Sequence, residues 1–168
     1  MNFAKRHAEV EEVKGGDELK LRACLLPSET ISWQDIQIVS LISGGSFGQV
    51  YLARHAGREV CVKRCLLRSD GSMTSEQLRN LEREINSYKI MKHDYIVKYI
   101  GCVLEYPNLA IVTEYLSNGN LFDLLYINGI ALKAALRLKI SIQTTVAIQY
   151  MHELKPPLIH RDLKTQNL

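Results

Sequence analysis

The feature that most constrains the fold is a change in the hydrophobic pattern at about Glu114. From Trp33 to that point, apolar residues form short runs separated by turn residues, which is typical of strands. Beyond it the pattern predicts a short helix from Leu121 to Tyr126 and a long one from Lys133 to His152, where apolar residues recur every four positions. The sequence therefore predicts an α+β fold, with a strand-rich lobe followed by a helical part.

The strand-rich lobe contains enough apolar runs for five strands and one helix. The predicted strands are Ile36 to Ile42, Val50 to Ala53, Glu59 to Lys63, Val97 to Leu104 and Leu109 to Thr113. The helix begins at a capping-box signal, in which Thr74 is followed three residues later by Gln77. Its apolar face consists of Leu78, Leu81, Ile85 and Tyr88. These elements predict a compact and mostly antiparallel lobe.

Composition divides the chain into a flank and one domain. Residues 1–32 are rich in charged side chains, and we predict that they are a flanking segment or linker with at most one short helix. Residues 33–168 are predicted to form the domain. Its strand-rich lobe covers residues 33–115, and residues 116–168 begin the helical part.

Composition also excludes several classes of function. Apolar residues make up 46% and charged residues 23% of the chain, which is ordinary for a globular protein. The 21 Lys and Arg exceed the 18 Asp and Glu by only three, far from the concentrated basic face that nucleic-acid binding needs. Charges interrupt every apolar run near the N-terminus, so we expect neither a secretory signal nor a membrane anchor. The expected location is the cytoplasm, with no nucleic-acid or membrane partner, and the oligomeric state stays open.

The cysteines do not have the spacing of a metal site. Cys24, Cys61, Cys65 and Cys102 form no C-x-x-C pair and have no histidines at matching positions. We therefore expect reduced, buried or incidental thiols.

A glycine-rich turn lies between the first two predicted strands. It consists of Ile42, Ser43, Gly44, Gly45, Ser46, Phe47, Gly48, Gln49 and Val50. Glycines allow a backbone to approach phosphates closely, because no Cβ stands in the way. Taken alone, the segment favours a plain hairpin, since glycine pairs are common in turns between strands. Lys63 strengthens the phosphate interpretation, because a lysine at the end of the next strand can reach phosphates that the turn covers.

Lys63 needs an acidic anchor, and the predicted helix offers Glu82 and Glu84. At about 100° per residue, Glu84 falls beside Tyr88 at the edge of the apolar face, whereas Glu82 points away from that face. Glu84 is therefore the better inward partner. The alternative is that both carboxylates are solvated, as most helix glutamates are.

The last residues carry the most specific pattern. His160, Arg161 and Asp162 are followed by Leu163, and Asn167 stands five residues after the aspartate. This segment matches the catalytic-loop pattern of protein kinases at all of its specified positions. By chance, these five specified positions match with a probability of about 3 × 10⁻⁷ per start site. The glycine turn, the lysine strand, the glutamate helix and this loop also occur in the order that a kinase fold requires.

From about Trp33 to its last residue, the chain resembles a eukaryotic protein kinase domain, and within that superfamily the tyrosine-kinase-like group. The group resemblance rests on Trp33, Ser46 to Tyr51, His93 to Val97 and Ile111 to Tyr115. Lys164 is similar to Ser/Thr kinases, since tyrosine kinases usually carry Ala or Arg near that place. The resemblance implies a complete five-stranded N-lobe with one helix, then the first helices and the catalytic loop of the C-lobe.

The resemblance also implies ATP and Mg²⁺ as cofactors. Gly45 and Gly48 would cover the phosphates, and Lys63 would hold the α- and β-phosphates while paired to Glu84. Adenine would lie under Val50 and Cys61, bonded to the backbone of Glu114 and Leu116, with Thr113 controlling the pocket behind it. The full implied ATP site is Ile42, Ser43, Gly44, Gly45, Ser46, Phe47, Gly48, Val50, Cys61, Lys63, Glu84, Thr113, Glu114 and Leu116.

In the catalytic loop, the resemblance assigns one role to each polar residue. Asp162 would orient the hydroxyl of a protein Ser or Thr and accept its proton. Lys164 would steady the γ-phosphate, and Asn167 would ligate one magnesium ion. Arg161 would meet a phosphate on an activation loop.

Three departures from the kinase pattern stand out. Ser43 replaces the first glycine of the glycine-rich loop, and Cys61 replaces the small alanine that usually precedes the Ile-Lys of this strand. No Asp-Phe-Gly segment follows Leu168, so we expect the natural reading frame to continue and this 168-residue chain to be inactive alone. A non-catalytic kinase lobe that binds nucleotide or a partner is the alternative. A dinucleotide-binding turn is disfavoured, because that turn opens a helix and this one continues as a strand.

Overall fold

The structure is a computed structural model that describes residues 29–45, 48–69 and 71–168. Contacts divide it into two compact units. The first contains the described residues up to Asn86 together with Ile100–Thr113, and the second contains Ser87–Tyr99 and Glu114–Leu168. In order, the elements are a 3-10 helix Trp33–Asp35, β1 Gln37–Gly45, β2 Gly48–His55, β3 Arg58–Arg64, α1 Ser75–Ile90, β4 Tyr99–Val103, β5 Ala110–Glu114, a π-helical turn Asp123–Ile127, α2 Ala134–Glu153 and a 3-10 helix Thr165–Asn167.

The five strands form one sheet in the order β1-β2-β3-β5-β4. Strands β1 with β2 and β2 with β3 pair antiparallel, and the β2–β3 register runs without a shift from Gln49 opposite Arg64 to His55 opposite Arg58. Alternation along β3 buries Val60 and Val62 completely in an apolar cluster with residues of β2, β4 and β5. The predicted five-stranded α+β lobe is confirmed.

The strand boundaries differ from the predicted ones by one to three residues. The turn between β1 and β2 is shorter than expected, because β1 continues through both glycines to Gly45. Strand β4 begins at Tyr99 rather than Val97, since the Lys98 N–H donates to Oε1 of Glu114 at 2.8 Å and so pairs with a side chain.

Helix α1 begins as its capping box predicts. The N–H of Gln77 donates to Oγ1 of Thr74 at 3.1 Å, and the N–H of Thr74 donates to Oε1 of Gln77 at 2.8 Å. The helix then buries Leu78, Leu81 and Ile85 along one side. This pattern of burial fixes which helix residues face the sheet.

The end of the predicted linker is part of the first unit. Thr30 forms a parallel bridge with Cys102, and the Ile31 N–H donates to the Cys102 carbonyl at 2.9 Å. The Ile31 side chain is 6% exposed and belongs to the apolar core. A single isoleucine between polar residues has no periodicity, so the sequence pattern carried no sign of this contact. The rest of the predicted linker and Cys24 lie outside the described residues.

In the second unit, α2 matches the predicted long helix within one residue at each end. The short helix predicted from Leu121 to Tyr126 differs, because Asp123–Ile127 form a π-helical turn. The Asn128 N–H closes this turn by donating to the Asp123 carbonyl at 2.8 Å. Helix α2 buries Ala147 and Met151, whereas Leu138 and Ile142 are 62% and 53% exposed. Among the described residues, no helix has both the length and the apolar content needed to cross a membrane.

Candidate active site

An ion pair joins strand β3 to helix α1. Nζ of Lys63 lies 2.7 Å from Oε1 of Glu84, and both side chains are 35% exposed. The helical spacing favoured Glu84 over Glu82 as this partner, and the structure brings Glu84 to the lysine. At this exposure the pair contributes about 0–1 kcal/mol to folding, so its main effect is to hold the lysine in one place.

The glycine turn is tightest at Gly48, where φ is +132°. A Cβ at this position would collide with the carbonyl oxygen of Arg64, so only glycine fits. Gly45 has open space around its Cα, and a Cβ on Gly44 would make ordinary contact with Gln49. Ser46 and Phe47, two of the predicted ATP-binding residues, lie outside the described residues.

The first residues of the predicted site lie where β1 pairs with β2, at a register shift between Leu41 and Ser43. Ser43, which stands where kinases have a glycine, is extended and faces Val50 across β1 and β2. Ile42 beside it is 48% exposed. A serine is tolerated here because an extended backbone suits any residue.

Cys61 and Thr113 are neighbours in the sheet. Burial raises the pKa of the Cys61 thiol, and a hydrogen bond with the Thr113 side chain acts in the opposite direction. Thr113 is 8% exposed and is the one buried polar side chain of the described residues. Val50 and Cys61 are half-buried, whereas Thr113 is buried.

Glu114 and Leu116 of the predicted adenine-binding segment belong to the second unit. The Glu114 N–H donates to the Lys98 carbonyl at 2.9 Å, and its carboxylate accepts the Lys98 N–H. Leu116 is 53% exposed, and its carbonyl accepts the Gly119 N–H at 3.1 Å. The residues on both sides of Tyr115 therefore make backbone hydrogen bonds.

The catalytic loop forms a polar cluster centred on Asp162. Nζ of Lys164 lies 2.9 Å from Oδ2 of Asp162. Nδ2 of Asn167 donates to the Asp162 carbonyl at 2.8 Å and to its Oδ2 at 3.1 Å. The hydrogen bond from Lys164, more than that from Asn167, holds the pKa of the Asp162 carboxyl below its usual range. The carboxylate is 62% exposed and is therefore accessible from solvent.

Backbone contacts hold this loop in shape. Arg161 has a positive φ of 64°, a sharp reversal just before Asp162, and the Asp162 N–H donates to Nδ1 of His160 at 3.3 Å. At the other end of the loop, the Leu121 N–H donates to the Leu168 carbonyl at 2.8 Å. These contacts explain why the side chains of Asp162 and Asn167 meet.

Sequence reasoning did not identify the pocket beside Lys63. The pocket has a volume of about 180 Å³, and Met73, Gln77, Leu81 and Ile111 contribute to its wall. Cys65, the residue directly after β3, also lines the pocket, and its backbone N–H donates to the Leu109 carbonyl at 2.9 Å. Burial, and secondarily the charge of Glu84, raises the pKa of the Cys65 thiol to about 11. Its position two residues after Lys63 was the available signal in the sequence.

The chain matches the protein kinase domain family over residues 36–168 and belongs to that family. It is similar to the serine/threonine-protein kinase CTR1 of Arabidopsis thaliana, with 40% identity over 140 residues. It is also 36% identical over 138 residues to the probable serine/threonine-protein kinase SIS8 of that plant, and 33% identical over 153 residues to the mouse serine/threonine-protein kinase TNNI3K. The resemblance to the tyrosine-kinase-like group with a Ser/Thr-type catalytic loop is thereby confirmed.

These alignments cover most of the chain but a small part of each relative. They include 82% of this chain and 17% of CTR1, 82% and 13% for SIS8, and 90% and 18% for TNNI3K. The chain thus spans less than a fifth of the length of these three relatives.

Proposed function

We propose that this chain binds ATP with Mg²⁺ and takes part, as a protein kinase, in transferring the γ-phosphoryl group to a Ser or Thr hydroxyl of a protein. The observation that carries the proposal is the cluster in which Lys164 and Asn167 both contact Asp162. This cluster combines an exposed carboxylate, a cation and an amide, which are the groups that phosphoryl transfer by positioning and charge stabilisation requires.

Lys63 is the proposed ligand of the α- and β-phosphates. Its ammonium group is held by Glu84 at 2.7 Å, and a lysine bound in this way can donate to phosphate oxygens without reorganising. The narrow turn at Gly48 supports close approach of the backbone to the same phosphates. Cys61, Val50 and Thr113 are the proposed contacts of the adenine.

Asp162 is the proposed residue that orients the substrate hydroxyl and accepts its proton. Its lowered pKa means that the carboxyl is ionised at neutral pH, so it can accept a hydrogen bond from a hydroxyl. Lys164, already beside it, would contact the γ-phosphoryl oxygens and offset their negative charge.

Mg²⁺ fits the donor chemistry of Asn167. The amide nitrogen of Asn167 makes both hydrogen bonds to Asp162, which leaves Oδ1 as the atom for a hard cation that prefers oxygen ligands. Within residues 29–45, 48–69 and 71–168, no three His, Cys, Asp or Glu side chains form a group that could hold a metal. Bound Mg²⁺ supplies charge neutralisation of the phosphates, and Asn167 would be its ligand from this chain.

The finer proposals concern the substrate and the location. A protein Ser or Thr, rather than Tyr, is proposed as the acceptor because of Lys164 and because the relatives are named as serine/threonine kinases. The cytoplasm is proposed as the location because ATP is abundant there and the cysteines of the described residues form no disulfide.

Titration of Mg·ATP into the chain by isothermal calorimetry tests the nucleotide site. We expect Lys63→Met to weaken binding by at least about tenfold, because it removes a charge-assisted bond to the phosphates. Lys139→Met, on the exposed side of α2, is the matched control and should bind ATP as the unmodified chain does. Equal affinities of the Lys63→Met variant and the unmodified chain would exclude Lys63 as a phosphate ligand.

Transfer is tested on a chain that also carries an Asp-Phe-Gly segment, because we expect these 168 residues alone to be inactive. It is incubated with radiolabelled ATP, Mg²⁺ and casein, and phosphoserine or phosphothreonine is then identified. Label that disappears with Asp162→Asn supports the kinase proposal. ATP binding without any transfer would favour the alternative, a non-catalytic module that binds nucleotide.

A further inference from the structure

The residues before β1 form a strap across the sheet, defined here as residues 29–36. Its Ile31 donates a backbone hydrogen bond to the Cys102 carbonyl at 2.9 Å and buries its side chain in the core. A Cβ added at Gly101 would lie 2.6 Å from the Glu29 carbonyl oxygen and 2.9 Å from Cδ1 of Ile31. The strap therefore approaches β4 so closely that only glycine fits beneath it.

Trp33 is the point where the strap meets the end of β3. The Arg64 guanidinium lies over the Trp33 ring, 5.0 Å from its centre, in a cation–π contact. The Arg64 guanidinium also donates to Oδ1 of Asn108 at 2.8 Å. The backbone N–H of Trp33 donates to Oε2 of Glu105 at 3.3 Å. Both members of the contact are thus held by the segment between β4 and β5.

Arg64 is also adjacent to the proposed phosphate site. It follows Lys63 directly on β3, so the two side chains point to opposite faces of the sheet. Its carbonyl oxygen occupies the space that a Cβ on Gly48 would need. Arg64 therefore contacts the strap through its side chain and the end of the glycine turn through its backbone.

We propose that the strap positions Lys63 and the glycine turn for nucleotide through the contact between Trp33 and Arg64. Both are positioning residues, and neither touches the nucleotide. The inference rests on the proposed ATP binding. Without the Trp33 ring, Arg64 loses its cation–π contact and the end of β3 becomes more mobile. Nucleotide binding must then order this segment, and the entropy cost lowers the affinity.

The first test compares Mg·ATP affinities of single and double variants of the 168-residue chain by calorimetry. We expect Trp33→Leu and Arg64→Met each to weaken binding about three- to tenfold, a range consistent with a partly buried cation–π contact. The double variant should bind ATP about as well as the single variant with the lower affinity. The two effects should not add, because both substitutions remove the same contact. Arg58→Met, an exposed arginine at the other end of β3, is the matched control and should bind normally.

The second test uses fluorescence, because Trp33 is the one tryptophan in the sequence. Mg·ATP should change the Trp33 emission of the unmodified chain, since the indole ring contacts the residue next to Lys63. Arg64→Met should abolish this response. Arg64→Lys should keep a reduced response, because a lysine retains the charge but not the flat guanidinium group.

Thermal unfolding of each variant separates positioning from folding. Lower melting temperatures with unchanged ATP affinities for Trp33→Leu and Arg64→Met would overturn the proposal, because the contact would then serve stability alone. If Trp33→Leu does not fold, Arg64→Met alone decides, and an ATP affinity equal to that of the unmodified chain would also overturn the proposal.

The ATP affinities of these variants distinguish an error in the role of the strap from an error in the proposed nucleotide site. If Lys63→Met loses ATP binding while the Trp33 and Arg64 variants do not, only the role of the strap is wrong. If the unmodified chain and Lys63→Met bind ATP equally poorly, the proposed nucleotide site is wrong and the inference is overturned with it.

Discussion

At the scale of single residues, the catalytic loop shows how neighbours set the charge of one carboxyl group. The hydrogen bond from Lys164 makes the largest contribution to the lowered pKa of the Asp162 carboxyl. The hydrogen bond from Asn167 and the electrostatic interaction with His160 also lower this pKa. The pKa of Asp162 is thus lower in the folded than in the unfolded chain, so its ionised carboxylate stabilises the folded loop at a pH above the unfolded pKa. This stabilisation is lost as the pH falls through the folded pKa. The loop should therefore loosen in acid.

Replacing Lys164 tests which neighbour dominates this shift. We expect Lys164→Met to raise the pKa of Asp162 toward its usual range, because the first of its stabilising contacts is lost. Titration of the aspartate carboxyl carbon by NMR measures the change. Lys155→Met, an exposed lysine between α2 and the loop, is the control that leaves Lys164 in place. An unchanged pKa in Lys164→Met would assign the shift to Asn167 instead.

At the scale of elements, helix α1 decides which of its acidic residues reaches β3. Burial of Leu81 and Ile85 fixes the rotation of the helix, and this rotation brings Glu84 to Lys63. The capping box at Thr74 fixes where the helix begins. A pattern of apolar residues thus places a charged residue that is itself outside the pattern.

The two glutamates of α1 allow a matched comparison. We expect Glu84→Gln to weaken Mg·ATP binding severalfold, because Lys63 loses the carboxylate that holds its ammonium group. Glu82→Gln makes the same chemical change two residues earlier and should leave ATP affinity unchanged. Calorimetry on both variants measures the difference. Equal losses in the two variants would contradict the assignment of Glu84.

The difference between local spacing and long-range contacts explains what the sequence predicted and what it did not. Five strands, both long helices and the choice of Glu84 follow from regular spacing, which local sequence records. The burial of Ile31 and the contact between Trp33 and Arg64 join residues far apart in the chain, and no local spacing encodes them. The π-helical turn was missed because a helical pattern does not distinguish an extra residue per turn.

At the scale of the whole molecule, helix α2 exposes a row of apolar side chains. Leu138, Ile142 and Val146 are 62%, 53% and 39% exposed and recur every four residues, so they share one side of the helix. Each such side chain gains about 1.5–3 kcal/mol when it is fully buried. A surface of this kind favours association.

We therefore expect the purified chain to self-associate as its concentration rises. Leu138→Glu combined with Ile142→Glu should shift it toward monomer, because the new charges resist burial. Lys139→Glu, an exposed position on the same helix, should not. Sedimentation velocity over a range of concentrations measures the effect. A monomer at all concentrations before any substitution would show that this face does not drive association.

Strand β1 has a consequence for how a nucleotide enters and leaves. It is one of the two edge strands of the sheet. All nine of its residues are exposed, and its pairing with β2 shifts register twice. A strand with so little burial opens locally at a small cost, whereas the buried valines of β3 are released only when the whole sheet unfolds. Backbone amides of β1 should therefore exchange with deuterium well before those of Val60 and Val62. Entry and release would then need only the edge of the sheet to lift, while Lys63 stays in place.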